Sequence, residues 1–570
     1  MLLSNLNLLA TAPGGVARSR ELILTLAVQG KLVPQDPSDE PASKLLKKIR
    51  AEKDRLIAEG KIKRDKPLTE IAEEEKPFGL PRGWEWARWA DIAMKIGDID
   101  HKMPSEVSDG VPYVSPRDFY GKNEIDFAGA KKIAHGDYLE LASKIRPEKG
   151  DLIYPRYGTI GVIRMVMDDR EFLASYSCAV VKVLRGCIEP SYQYLFSMSD
   201  CVKRQAASAT NKTTQPNVGL KSIQEYLVPL PPLAEQSRIV TRVEELMRLC
   251  DALEAKGQLE AKQHAQLVST LLGTLPESET PEQLANNWHR IATHFDLLLD
   301  RPKAVDALEQ TILQLAVRGL LVPQDPLDEP ASELLKKIRL EKDKLIAEGK
   351  IKRDKPLPPI EEDEQPFALP VGWEWVQIGD VVNSSEAGWS PTCIGSPRRG
   401  GHWGVLKVSA VSWGAFDPNA NKELPANLAP RPEYEVQRGD FLLSRANTVQ
   451  LVARSVVVNI TAPKLMLSDK IIRLDVASLM NRDFLNLCNN ANHARTHYIA
   501  NASGTSSSMK NVSREVVLQT PVPLPPFAEQ SRIVTRVAQL RRLCADLRQR
   551  LSASQSTQAH LAEALVQTVA

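Results

Sequence analysis

The sequence predicts an α+β chain in which two β-rich globular modules are joined by long helices forming an antiparallel coiled coil, with a pseudo-twofold internal repeat. Three observations predict it. Residues 23–68 and 312–357 are identical at 39 of 46 positions, without a gap. PLPPLAEQSRIVTRV, from Pro229, returns as PLPPFAEQSRIVTRV, from Pro523. The stretches between these blocks share little with each other and carry short Val/Ile alternations bounded by turn residues, the pattern of curved, mostly antiparallel sheet. The order constant–variable–constant–variable–constant places two different heads on one scaffold. The boundaries are a helical region at 1–86, a first head at 87–228, a central constant region at 229–375, a second head at 376–522 and a last constant helix at 523–570.

Each element has its own signal. Residues 18–30 read as an amphipathic helix stopped by Gly30, where a positive φ carries no Cβ penalty. Pro34, Pro37 and Pro41 prevent its continuation. A second helix starts near 39–43, with Leu45, Leu46, Ile49, Leu56 and Ile57 as its apolar stripe and Gly60 as its stop. Its outer face is dense in Lys, Arg and Glu. That face reads either as a solvated helical hairpin or as a docking surface for a protein partner. PFGLPRGWEW and PFALPVGWEW close the two repeats and read as structural bolts, with one Trp of each pair turned into a core. The heads hold strand runs such as VPYVS, GDLIYPRYGTIG, SCAVVKVL, GDFLLSRANTVQ and DKIIRLDV, followed by helical patches at 192–207 and 481–500. In the second repeated block Ile239, Val243, Leu246, Cys250 and Leu253 are spaced 4-3-4-3, and Ile533, Val537, Leu540, Cys544, Leu547 and Leu551 repeat that spacing. Apolar residues every 3.5 positions define a coiled-coil seam. The 24 residues from 233 to 256 would span ~36 Å as a helix, close to one turn of B-DNA.

Composition narrows the function class. The formal charge is +2, and the heads hold 19 basic against 18 acidic residues and 15 against 11, so a polyanion site has to be a local patch. The seven cysteines form no CxxC pair and fit reduced thiols in a cytoplasmic protein. No basic n-region marks a signal peptide, and no run reaches the ~20 apolar residues of a membrane span. The sequence has no GxxxxGK[ST] loop, no GxGxxG turn after a strand, no GxSxG elbow and no HExxH. His493 and His497 have helical i,i+4 spacing, but Ala494 stands where a general base would be, so they read as part of a solvent-facing helix. The pattern points to a binder rather than a catalyst, with no metal site.

The AVQGKLVPQD and AVRGLLVPQD blocks, the paired PLPP-x-AEQ-xx-IV blocks and the duplicated layout resemble the specificity subunits of Type I restriction-modification enzymes over nearly the whole chain. The resemblance implies two target-recognition domains, each reading one half of a split, asymmetric sequence in double-stranded DNA, and constant helices that fix the half-site spacing. It also implies two methyltransferase subunits and two restriction/translocase subunits as partners. S-adenosylmethionine, ATP and Mg would be held by those partners, with no cofactor in this chain. The repeated lysine-rich arm exceeds such a plan and marks an addition to it. The competing readings are a bivalent, non-catalytic scaffold whose heads bind proteins, and an enzyme acting on DNA alone.

Base readout favours Arg on guanine and Asn or Gln on adenine, with Lys and Arg on phosphates. In the first head the candidates are Arg117, Arg156, Tyr157, Lys212, Thr213 and Gln215. In the second they are Lys407, Ser409, Arg445, Asn447, Ser507 and Lys510. Arg156 and Arg445 follow equivalent Gly-Asp strands and are either a DNA contact common to both heads or partners of nearby carboxylates.

Overall fold

The computed structural model describes residues 11–64, 67–101, 103–211, 216–353, 355–504 and 509–569. The chain forms two compact units, Met1–Ala261 with Ser554–Ala570, and Lys262–Ala553. Helices and sheets mix in both.

In the first unit a leading helix, Gly15–Val28, buries Leu22, Ile23, Leu26 and Ala27. It ends where Gly30 takes φ 70°, letting Gly30 N–H donate to Ala27 O and Lys31 N–H to Leu26 O. A Cβ on Gly30 would stand 2.4 Å from Pro81 Cγ and 3.0 Å from Trp84 Cζ2, so only glycine lets the bolt close over the helix end. Gly319 does the same for the second unit's leading helix, Pro302–Val317, against Pro370 and Trp373. The arm helix, Ala42–Ala58, buries Leu45, Ile49 and Leu56 in the core beneath the first head, and Lys53 Nζ donates to Ala90 O at 2.6 Å. Its copy, Ala331–Ala347, buries Leu334 and Ile338, and Lys342 Nζ donates to Gly379 O at 3.0 Å. The lysine-rich faces therefore lie outward on helices whose apolar stripes are anchored to the heads.

The two heads have the same strand order although their sequences differ. In the first, a four-stranded antiparallel sheet runs Ala93–Gly97, Cys178–Val183, Leu152–Pro155, Arg164–Met165. In the second it runs Val382–Ala387, Ile471–Val476, Phe441–Ser444, Ser455–Val457. Each head adds a three-stranded sheet with one antiparallel and one parallel pairing. These are Lys131–Ile133, Val111–Val114, Leu173–Ala174, and Asn421–Glu423, Gly404–Leu406, Leu465–Met466. A last pair joins the beginning of each head to its end: Glu85–Arg88 with Leu227–Leu230, and Glu374–Gln377 with Pro521–Leu524. Cys178–Val183 is buried at all six positions rather than alternately, because it is covered on both faces. Its Lys182 Nζ lies 2.7 Å from Asp151 and 2.8 Å from Glu148, so the buried ammonium is paired on both sides.

Both heads hand over to long helices, Leu233–Gly273 and Phe527–Val569. The seams on these helices are covered inside each unit, which corrects the expectation that each seam is the face of a coil pair. Ile239, Val243, Leu246 and Cys250 are buried with Ile23, Ala27, Trp84 and Tyr192, and Leu253 is half-buried. Ile533, Val537 and Cys544 are buried in the core that holds Ile312, Leu313 and Ala316, with Leu540, Leu547 and Leu551 packed against it. Arg20 ties leading to long helix through Asp251 and Glu254, and Arg548 does so through Asp306 and Glu309. A 4-3-4-3 stripe specifies an apolar face but not what covers it, and the leading helices offer complementary stripes.

The seven cysteines are free thiols. No helix among the described residues is long and apolar enough to cross a membrane.

Candidate nucleic-acid interface

The duplicated motifs form the frame that aims each head. Glu235 of the AEQ motif is 1 % exposed and accepts from Trp84 Nε1 at 3.0 Å and Gln35 Nε2 at 3.2 Å. Glu529 accepts from Trp373 Nε1 and Gln324 Nε2 at the same two distances. Burial pushes both carboxyls above the usual range, and the donated N–H groups oppose it. Gln236 Oε1 accepts from Glu189 N–H at 2.9 Å and Gln530 Oε1 from Asn481 N–H at 2.8 Å, locking the first turns of the head helices Pro190–Met198 and Arg482–Asn490. Trp84 and Trp373 are the bolts that the repeated tryptophan pairs suggest.

In each head the ends of the two sheets and a late loop come together. In the first, Ser175 N–H donates to Val114 O at 2.7 Å and Arg156 N–H to Ser177 O at 2.8 Å, which joins the sheets. Val218 N–H donates to Arg156 O at 2.9 Å, and Tyr157 forms a bridge with Asn217, which brings in the late loop. In the second, Val512 N–H donates to Arg445 O at 3.0 Å, and Ala446 and Asn447 pair with Asn511 and Lys510. Arg156 and Arg445 thus hold equivalent backbone positions.

Their side chains do opposite things. Arg156 is 8 % exposed, pairs with Asp98 and donates from Nε to Val218 O at 3.2 Å, so its guanidinium is committed inside the head. That placement corrects the expectation of a shared arginine contact, because Asp98 on the neighbouring segment supplies the counter-charge. Arg445 is exposed, and among the described residues its side chain meets no carboxylate. Tyr157 is half-buried beside Arg156, whose guanidinium carbon lies 5.6 Å from the ring centre. Arg117 is exposed on a short 3₁₀ turn, Pro116–Asp118, and donates to Ser115 Oγ at 3.3 Å. Lys407 precedes the matching turn, Val408–Val411, and exposed Ser409 lies on it. Asn447 Nδ2 donates to Ser412 Oγ at 2.8 Å, which draws that turn to the late loop. Lys510 Nζ donates to Gly504 O at 2.6 Å. Lys212, Thr213, Gln215 and Ser507 lie outside the described residues.

Sequence reasoning missed the loop before Gly404 in the second head. Its SPRRGGHWG run exposes Arg399, while Arg398 donates to the carbonyls of Pro463 and His402, and His402 Nδ1 lies 2.8 Å from Glu423. The Arg doublet among glycines was the available signal. His493, expected on a solvent-facing helix, is half-buried. Its ring centre lies 5.8 Å from Phe367 and 5.9 Å from Trp375, and burial brings its pKa down to about 4. Among the described residues no group of three or more His, Cys, Asp or Glu is placed to hold a metal.

The arrangement offers hydrogen-bonding and cationic groups on loops set by rigid sheets, the layout in which a rigid scaffold positions binding loops. The family described as Type I restriction modification DNA specificity domain matches residues 81–263. The Type I restriction enzyme EcoEI specificity subunit of Escherichia coli is 42% identical over 568 residues, 97% of this chain and 93% of that protein. The EcoAI specificity subunit of Escherichia coli is 37% identical over 576 residues, with the same two shares, 97% and 93%. A solved chain, from a structure described as the structural basis underlying complex assembly and conformational transition of the type I R-M system, is 20% identical over 86% of this chain and 99% of that one, with a TM-score of 0.46.

Proposed function

The chain belongs to the specificity subunits of Type I restriction enzymes, and from that premise we propose that it reads a bipartite, asymmetric sequence in double-stranded DNA on behalf of partner subunits that methylate and cleave. Each head reads one half. The observation that carries this reading is that the heads share one strand order yet present different groups at equivalent places: Arg117 against Ser409, and a buried Arg156 against an exposed Arg445. Equivalent frames with unlike reading groups give two unlike half-sequences.

The constant parts suit a different role. They are nearly identical in the two repeats, so they offer the same surface twice, as two copies of one partner require. We assign that surface to two methyltransferase subunits, joined by two restriction/translocase subunits for cleavage. The chain itself is non-catalytic and acts in the cytoplasm. S-adenosylmethionine, ATP and Mg belong to the partners. The long helices set the distance between the half-sites. Residues 254–263, all exposed, are the stretch of the first long helix that the local cores leave uncovered.

Mapping modified bases in host DNA tests the reading. One split motif should be present with this chain and vanish without it. Removing seven residues from 254–263 should change the gap between the halves and leave both half-sequences intact. Altered half-sequences would refute the spacer role, and an unchanged modification map on loss of the chain would refute the function.

A further inference from the structure

Two aromatic rings stand in solvent at corresponding places. Among the described residues, Tyr120 at 57 % and Trp413 at 73 % are the Phe, Tyr and Trp residues more than half exposed. Each lies on the connection between the two antiparallel strands of a head's three-stranded sheet, from Val111–Val114 to Lys131–Ile133 and from Gly404–Leu406 to Asn421–Glu423. Each comes two residues after that connection's 3₁₀ turn, Pro116–Asp118 or Val408–Val411. The same turns carry Arg117 and Ser409, with Lys407 capping the second.

In both places the backbone is held while the ring is free. Tyr120 pairs with Glu124, and its carbonyl accepts from Arg164 Nη2 at 3.1 Å. Beside Trp413, Ser412 Oγ donates to Val408 O at 2.7 Å and accepts from Asn447 Nδ2 at 2.8 Å, and Gly414 turns the chain away with φ 82°. Single exposed apolar residues are common on protein surfaces. Two that fall on the same connection of two heads with dissimilar sequences require a shared cause. A protein partner common to both heads would be met by the nearly identical constant surfaces. These rings lie in the variable segments and differ from each other, so they face the ligand that differs between the heads, the base sequence.

We propose that Tyr120 and Trp413 are base-contacting residues, each ring packing against base edges in the half-site read by its own head. This rests on the DNA-reading function above and adds an apolar contact to the polar ones. Aromatic rings held on a fixed backbone make such contacts at low cost in conformational entropy.

The test uses the chain assembled with its methyltransferase subunits, a duplex carrying the mapped target, and anisotropy titrations over a salt series. Trp413→Ala should weaken target binding about tenfold or more, with unchanged binding to random duplex and an unchanged salt slope, because no phosphate contact is lost. Trp413→Phe should retain most of the affinity. Scrambling the half-site of the second head should erase the difference between Trp413→Ala and wild type, and Tyr120→Ala should behave in the same way toward the other half. Wild-type affinity in both alanine variants, equal losses on random duplex, or loss of subunit assembly would each overturn the proposal while the DNA-reading function stands. A wild-type complex with no sequence preference would instead show that the function itself is misassigned, and the proposal would fall with it.

Discussion

The duplicated bolt allows one interaction to be measured twice in one molecule. Trp84→Phe removes the indole N–H that reaches Glu235 Oε2 at 3.0 Å, beside a carboxylate that is 1 % exposed. A hydrogen bond to a charged group contributes about 1.5–3 kcal/mol, and its loss leaves the acceptor short of a donor it cannot recover from water. The smaller ring also vacates the space against Gly30, adding about 1–2 kcal/mol for the void. A double-mutant cycle with Glu235→Leu separates the two effects, because only the hydrogen bond is shared by the pair. The expected coupling is about 2 kcal/mol. The cycle of Trp373→Phe with Glu529→Leu should return the same value, since its donor distances are again 3.0 and 3.2 Å. Hydrogen exchange in increasing urea, read separately on peptides from each unit, avoids treating a two-unit chain as one transition. A coupling below about 0.5 kcal/mol in either copy would be within the usual non-additivity and would refute the bolt.

Two further outcomes follow from the site. Arg156→Ala should destabilise the first head by about 2–4 kcal/mol, a little under the cost of breaking a fully buried pair because the Asp98 side chain is 19% exposed. Arg445→Ala should shift stability by less than about 0.5 kcal/mol while weakening DNA binding by the assembled complex, so urea melts and anisotropy on the two variants should give opposite patterns. His493 titrates at about 4 in the folded chain against 6.5 for the free ring, so the unfolded chain takes up its proton first as the pH falls. The stability that its neutral form contributes is whole above about pH 6.5 and is lost by about pH 4, roughly 3 kcal/mol in all. His493→Leu should flatten that part of the stability–pH curve, and an unchanged curve would contradict the burial argument.

Much of this was legible in the residues, and what was not has physical causes. Helix stops at Gly30 and Gly60 could be read because only glycine enters the left-handed region without strain. The repeats announced the frame, and the alternating Val/Ile runs announced the sheets. The partner of the seam was not legible, since the spacing of Ile239, Val243 and Leu246 fits any apolar face, and here the leading helix provides it. Arg156 could not be told from Arg445, because Asp98, which neutralises only the first, lies 58 residues away in sequence. Strands of two residues, such as Leu173–Ala174 and Ala446–Asn447, are too short to show a period. The burial of Lys182 within an apolar strand depends on Glu148 and Asp151, which sequence pattern does not connect to it.

The strand pair that joins Glu85–Arg88 to Leu227–Leu230 makes a socket. A polypeptide that leaves and returns as neighbouring antiparallel strands, ~4.8 Å apart, imposes one boundary condition on whatever lies between. Any insert whose ends meet in that way can be seated without moving the helices outside it. The second socket, Glu374–Gln377 with Pro521–Leu524, has the same registration of four residue pairs. Segments with ends that meet in this way can therefore be exchanged at either position while the constant helices stay where they are.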